Sequence, residues 1–169
     1  EPLMAGLIKR MNHEHVKIAV IGTRTRGVEY VPARNLQDGQ WELMCSPLYA
    51  MHLAAGDVVK ILSSETGTFE IRRRGGNVSV QFYLAENDVD DVQATECVAK
   101  EIARDIASLG GRLDGKTAGL VVCTIPVKAS FPAIEEVMEA AVRRHPGAHW
   151  QYCNVFDPDS GEALCWWEE

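Results

Sequence analysis

The feature that most restricts what this chain can fold into is a change of rhythm near residue 77. Before it, apolar residues come in short β-type runs broken by turn signals. After it, they recur at intervals of three and four over two long stretches. Residues 16–21 (VKIAVI), 30–34, 40–45, 58–62 and 68–73 read as strands, with a further one at 78–84. The tetrapeptide Gln37-Asp38-Gly39-Gln40 carries an Asp-Gly turn signal and predicts a hairpin. Arg74-Gly75-Gly76-Asn77 is a second turn signal.

Beyond residue 84 the spacing predicts two helices. Asn87 or Asp88 caps the first, with Asp90 and Asp91 placing negative charge in its opening turn. Its apolar stripe is Val92, Val98, Ala99, Ile102, Ile106 and Leu109, and Gly110-Gly111 ends it. Ser130 caps the second helix, Pro132 sits in its first turn, and Ile134, Val137, Met138, Ala141 and Val142 form its stripe. His145-Pro146-Gly147 stops it. Residues 120–126 (LVVCTIP) are a continuous apolar strand, 149–156 a last strand, and Arg112 and Leu113 a short one.

These elements predict an α+β protein. Residues 1–77 form a small β-barrel-like sheet, and residues 78–169 follow the order of a ferredoxin-like split βαβ unit with two helices. Right-handed crossovers would set both helices on one face of an antiparallel sheet.

A chain of 169 residues is long enough to bury a real core. Its share of hydrophobic residues, 46%, disfavours disorder. With 24 acids against 17 bases the formal charge is −7, which disfavours nucleic acid and anionic membranes and favours a basic partner. No apolar run approaches the roughly 20 residues of a membrane span. Residues 1–10 lack the pattern of a secretory signal, and Met11 is a candidate initiator. The five cysteines form no CxxC pair, so we expect reduced thiols and a cytoplasmic location. Cys97 and Cys123 lie in apolar surroundings and are expected to be buried.

Val28, Glu29 and Ala33, then Gly39, then Pro47, Tyr49, Ala50, Leu53, Ala54, Gly56, Asp57 and Val59 make a recognisable series within residues 28–61. The series resembles the N-terminal region of the bacterial domain-of-unknown-function family numbered 4265. That family shows a V-E-x-(V/L)-x-A strand, a glycine turn, then P-x-(Y/F)-A-x-x-(L/I)-A-x-G-D-x-V. Such families are encoded beside polymorphic toxins, so the resemblance implies an immunity protein; it offers no catalytic residues. Read without the family, residues 47–53 tuck Tyr49 and Leu53 inward, Gly56 permits a turn, and Asp57 bonds its own following backbone.

Conventional chemistry finds little support. His13 and His15 lack a third metal ligand nearby, and His145 suits a helix C-terminus. No helix start or basic neighbour marks Cys97, Cys123 or Cys153 as a nucleophile. Gly110 with Gly115-Lys116-Thr117 has the spacing of a phosphate loop, but it follows a helix and precedes a strand, so it reads as a turn. Arg72-Arg73-Arg74 reads as a solvated strand end. No catalytic residue, metal or cofactor is expected.

The acids say more. Glu86, Asp88, Asp90, Asp91 and Glu96 lie in one stretch without Lys or Arg, and Asp157, Asp159, Glu162, Glu168 and Glu169 in another. Trp166 and Trp167 adjoin the second. Charge runs are usually solvated faces, and a tryptophan pair also suits a terminal segment packed on the core. The functional alternative is a partner-binding surface of Glu86, Asp88, Asp90, Asp91, Asp157, Asp159, Trp166, Trp167 and Glu168 for a basic toxin effector domain. A small-ligand regulatory module and an enzyme with an unfamiliar site are the competing readings.

Overall fold

A computed structural model describes residues 14–21 and 26–169. The expectations for Met11, His13 and residues 1–10 fall outside the described residues. The protein is α+β, with two antiparallel sheets and two α-helices among the described residues.

The first sheet is a meander of β1 (Glu14–Ile21), β2 (Arg26–Gln37), β3 (Gln40–Leu43), β4 (Val58–Ser63) and β5 (Thr68–Arg73). The predicted Asp38-Gly39 hairpin joins β2 to β3, with positive φ at Gln37, Asp38 and Gly39. A register shift between Asn35 and Gln37 bends β2 before the turn. The β4–β5 turn folds back on β1. Ala19 N–H donates to Gly67 O at 2.9 Å, and a Cβ on Gly67 would stand 2.8 Å from Ala19 N. Val16, Ile18, Val31, Leu43, Leu53 and Val59 make this sheet's core.

The second sheet has the order β7 (Arg112–Thr117), β8 (Leu120–Pro126), β6 (Asn77–Tyr83), β9 (His149–Tyr152). Helix α1 (Val92–Ala107) joins β6 to β7, and α2 (Phe131–Arg144) joins β8 to β9. The period of two divides β6 cleanly. Val78, Val80, Phe82 and the following Leu84 pack under the helices with Ile102, Ile106, Ile134 and Met138. Each of these buried side chains contributes on the order of 2 kcal/mol. Ser79 and Gln81 point the other way and are buried as well.

Several local expectations change. The first helix starts later than predicted: Asp91 is its N-cap, its carboxylate accepting from Ala94 N–H at 3.0 Å, while residues 86–88 form a separate 3-10 turn. Val92 is therefore 68% exposed, outside the stripe. Cys97 is exposed, not buried, because it lies between the inward positions Thr95 and Val98. The phosphate-loop look-alike is not a turn. Arg112–Thr117 is the edge strand β7, longer than the two residues expected. The last strand ends at Tyr152, and Phe156 makes only an isolated bridge to Ala163. Ser130 caps α2 as expected, accepting from Ala133 N–H at 3.4 Å.

Candidate functional site

The two sheets meet through a polar joint that the sequence did not announce. Six of the seven buried polar residues among the described residues lie in it: Ser46, Asp57, Ser79, Gln81, Thr124 and Asn154. Asp57 accepts from Ala54 N–H (3.0 Å), Gly75 N–H (2.8 Å) and the Arg74 guanidinium (3.2 Å). It thus holds the segment before it and a distant one, not its own following backbone. Burial pushes its carboxyl above the usual range, against the pull of those hydrogen bonds and of Arg74. Arg74 is not a solvated strand end: it also donates to His52 O and lies over the Trp166 ring, 5.5 Å from its centroid. On the other side, Asp114 accepts from Ser46 N–H (2.6 Å), Arg112 Nε (2.8 Å) and the Thr124 hydroxyl.

Glu29 on β2 does a related job. Its carboxylate accepts from the backbone N–H groups of Leu48, Tyr49 and Ala50 at 2.6, 3.0 and 3.0 Å. That clamp fixes residues 48–50 while leaving Tyr49 52% exposed, contrary to the inward position expected; Leu53 is fully buried as expected. Glu29, Gly56 and Asp57 of the recognised series are therefore residues of assembly. Each satisfies or permits backbone contacts between distant segments.

The thiols offer no nucleophile in the joint. Burial pushes Cys123 and Cys153 up to about 12, which keeps both protonated. Ser79 Oγ, beside Cys153, is the one buried side-chain oxygen among the described residues without a hydrogen-bond partner. No group of three or more His, Cys, Asp or Glu among the described residues is arranged to hold a metal.

The acidic segments are placed far apart. Tyr83 pairs with His149 at one end of β6, and Val80 with Tyr152 toward the other. Glu86, Asp88, Asp90 and Asp91 follow the first end, and Glu86 lines a cleft with Tyr49, Tyr83 and His149, whose last two rings stack at 4.8 Å. Asp157, Asp159, Trp166, Trp167 and Glu168 follow β9 in the chain, past that other end. There Trp166 Nε1 donates to Asn154 O (2.7 Å), and Trp167 meets Phe131 edge-on at 4.9 Å. Both tryptophans pack partly against the core. Asp157 accepts from Ser160 and Asp159 N–H groups, which hold its carboxyl below the usual range.

Beside this second end runs a groove of about 630 Å³ that the charge runs did not reveal. Helix α2 supplies Glu135 and Glu139, β9 supplies Trp150, Gln151 and Tyr152, and Met51, Phe156 and Pro158 close the far side. Glu139 accepts from Trp150 Nε1 at 2.8 Å, and Glu135 faces the Tyr152 hydroxyl at 3.5 Å. Burial, then the neighbouring Glu135, raise the Tyr152 hydroxyl far above its ordinary range, so it stays a neutral donor. Trp150 and Tyr152 meet edge-on at 5.0 Å. The signal in sequence was weak: Glu135 and Glu139 sit four apart on the exposed side of α2, and Trp150 and Tyr152 two apart on a strand.

No curated protein matches this chain. A solved structure, described as "Novel crystal structure of a hypothetical protein from Neisseria gonorrhoeae", is similar in fold, with a TM-score of 0.63 at 13% identity over 83% of this chain and 94% of that one. At that identity the likeness speaks for the fold alone. The model of the family described as "Domain of unknown function (DUF4265)" matches residues 29–150, a span that holds Glu29, Asp57 and the buried polar residues of the joint other than Asn154. The chain belongs to this family.

Proposed function

We propose that this chain is an immunity-type binding protein that neutralises a basic bacterial toxin domain in the cytoplasm by covering it, without turnover. The observation that carries the reading is the groove beside β9. Its two carboxylates belong to no ion pair among the described residues, stand against two aromatic rings, and have no Lys or Arg on the same walls. Such walls attract ammonium and guanidinium groups through charge and through the ring faces. Tryptophan and tyrosine are frequent interface anchors. A net charge of −7 would speed encounter with a basic partner and repel nucleic acid and anionic membranes. Asp157, Asp159, Trp166, Trp167 and Glu168 extend this surface. Glu86, Asp88, Asp90 and Asp91 would join it only for a partner spanning the length of β6, about 20 Å. No helix among the described residues is long and apolar enough to cross a membrane.

The fold reading that goes with it is a barrel-like unit in residues 1–77 and a ferredoxin-like unit in 78–169. The strand order β7-β8-β6-β9 with two connecting helices supports the second, and the return of the β4–β5 turn onto β1 supports the first.

The test is growth rescue with the full chain, coexpressed with the toxin domain of the adjoining gene. Rescue by the wild type, lost in an E135K/E139K double variant that still folds, supports the reading. An adjoining gene that encodes no toxin, or toxicity that the chain leaves unchanged, overturns it.

A further inference from the structure

We infer that the groove takes its partner as an extended basic segment that adds a strand to the free edge of β9. The inference rests on the reading of the groove as a site for a basic partner, and says how that partner would be held.

β9 is the last strand of its sheet, bonded only to β6. Just past its end, Cys153 N–H donates to Ser79 O, on the β6 side. Backbone groups alternate in direction along an antiparallel strand. His149 and Gln151 therefore also turn toward β6, and Trp150 and Tyr152 turn their N–H and C=O groups outward. Those outward groups make no backbone bond to any other described segment. An unpaired strand edge of this kind is a template for another strand.

The groove lies along that edge. Three consecutive β9 residues line it, so both faces of the strand contribute, with α2 on one side and Met51 on the other. Spacing then matches the charges. Glu139 stands beside Trp150 and Glu135 beside Tyr152, so α2 runs alongside β9 in the opposite direction. Four residues of helix rise about 6 Å. Alternate residues of a strand are about 6.6–6.8 Å apart. An added strand with Lys or Arg at positions i and i+2 would meet one carboxylate with each. A second copy of the chain fits poorly, because it would bring Glu135 and Glu139 against their own like.

The experiment uses the full chain and a seven-residue amidated peptide alternating lysine with valine. A second peptide of the same charge is N-methylated at alternate positions along one edge. Binding is read by calorimetry, and amide hydrogen exchange by NMR. The expected result is at least tenfold slower exchange at Trp150 and Tyr152 with the first peptide, and at least tenfold weaker binding of the second. E135K/E139K should weaken the first peptide by a similar factor. Equal binding of both peptides overturns strand addition while leaving the acidic-groove reading intact, which the growth rescue decides separately. No binding of the first peptide overturns it for basic segments. Protection of Trp150 and Tyr152 without peptide, together with a doubled mass in solution, assigns the edge to a second copy and overturns it too.

Discussion

The Gly75 N–H donates to the buried carboxylate of Asp57 at 2.8 Å, and this bond ties the chain at the crossing from the first sheet to the second. The same carboxylate holds Ala54 N–H and Arg74, so one side chain organises three segments. Asp57→Ala would strand a guanidinium and two N–H groups in a buried place. Breaking a buried pair from one side costs about 3–5 kcal/mol, and the lower figure is expected because Arg74 keeps some solvent contact. Chemical denaturation of the purified variant checks it; a loss under 1 kcal/mol would mean that the joint does not depend on Asp57.

Gly75→Ala tests the same crossing sterically. A Cβ at this position would lie 2.3 Å from Gly56 C, a backbone atom that has no room to swing aside. Overpacking of this kind costs about 1–3 kcal/mol. Gly76→Ala, next in the chain, meets nothing within 4 Å but sits at φ +77, so it probes backbone strain alone. Thermal unfolding should lower the midpoint more for Gly75→Ala.

Thiol reactivity should follow burial. Cys97 and Cys165 are exposed, whereas burial holds Cys123 and Cys153 as thiols up to about 12 and also raises Cys45. A disulfide reagent at pH 8 should modify two thiols fast in the native protein, Cys45 more slowly, and all five after unfolding. Fast native modification of Cys153 would contradict the buried joint.

Glu101 on α1 reaches His145 Nε2 at the end of α2 at 2.7 Å, and that hydrogen bond holds its carboxyl below the usual range. A depressed folded-state value stabilises the protein above the ordinary glutamate value and is lost as pH falls through the folded one. Wild type should thus be more stable than Glu101→Gln at neutral pH, with the gap closing on acidification. Unfolding midpoints measured down the acid limb check the sign: a gap that widens toward low pH would refute it.

Asp114→Ala should loosen the other side of the joint. It leaves Ser46 N–H and the Thr124 hydroxyl without their acceptor, at about 1–3 kcal/mol for unsatisfied buried donors. Combined with Asp57→Ala, a cost beyond the sum would show that the two carboxylates act on one joint.

The positions of the elements were legible because they depend on local pattern. The Asp38-Gly39 hairpin, the Ser130 cap and the stops at Gly110 and His145 follow from the preferences of a few neighbouring residues. The strict helical period places Cys97 outside as well, since positions 95, 98, 99, 102 and 106 turn inward. Asp57 misled because an Asp after Gly suggests a turn that bonds locally, whereas its main partners arrive from Gly75 and Arg74. The charge runs misled in another way. Adjacency in sequence groups Glu86 with Asp91 and Asp157 with Glu168, but the groove acids Glu135 and Glu139 come from a helix that also carries bases.

Local pattern was enough for the order and type of the main strands and helices, for several of their ends, and for the acidic balance of the chain. Those properties are sums over near neighbours. What needed the folded chain is that Glu29 and Asp57 join distant segments and that α2 lies along an open β9 edge. Long-range pairing depends on which surfaces meet, and no residue carries that information within its own few neighbours.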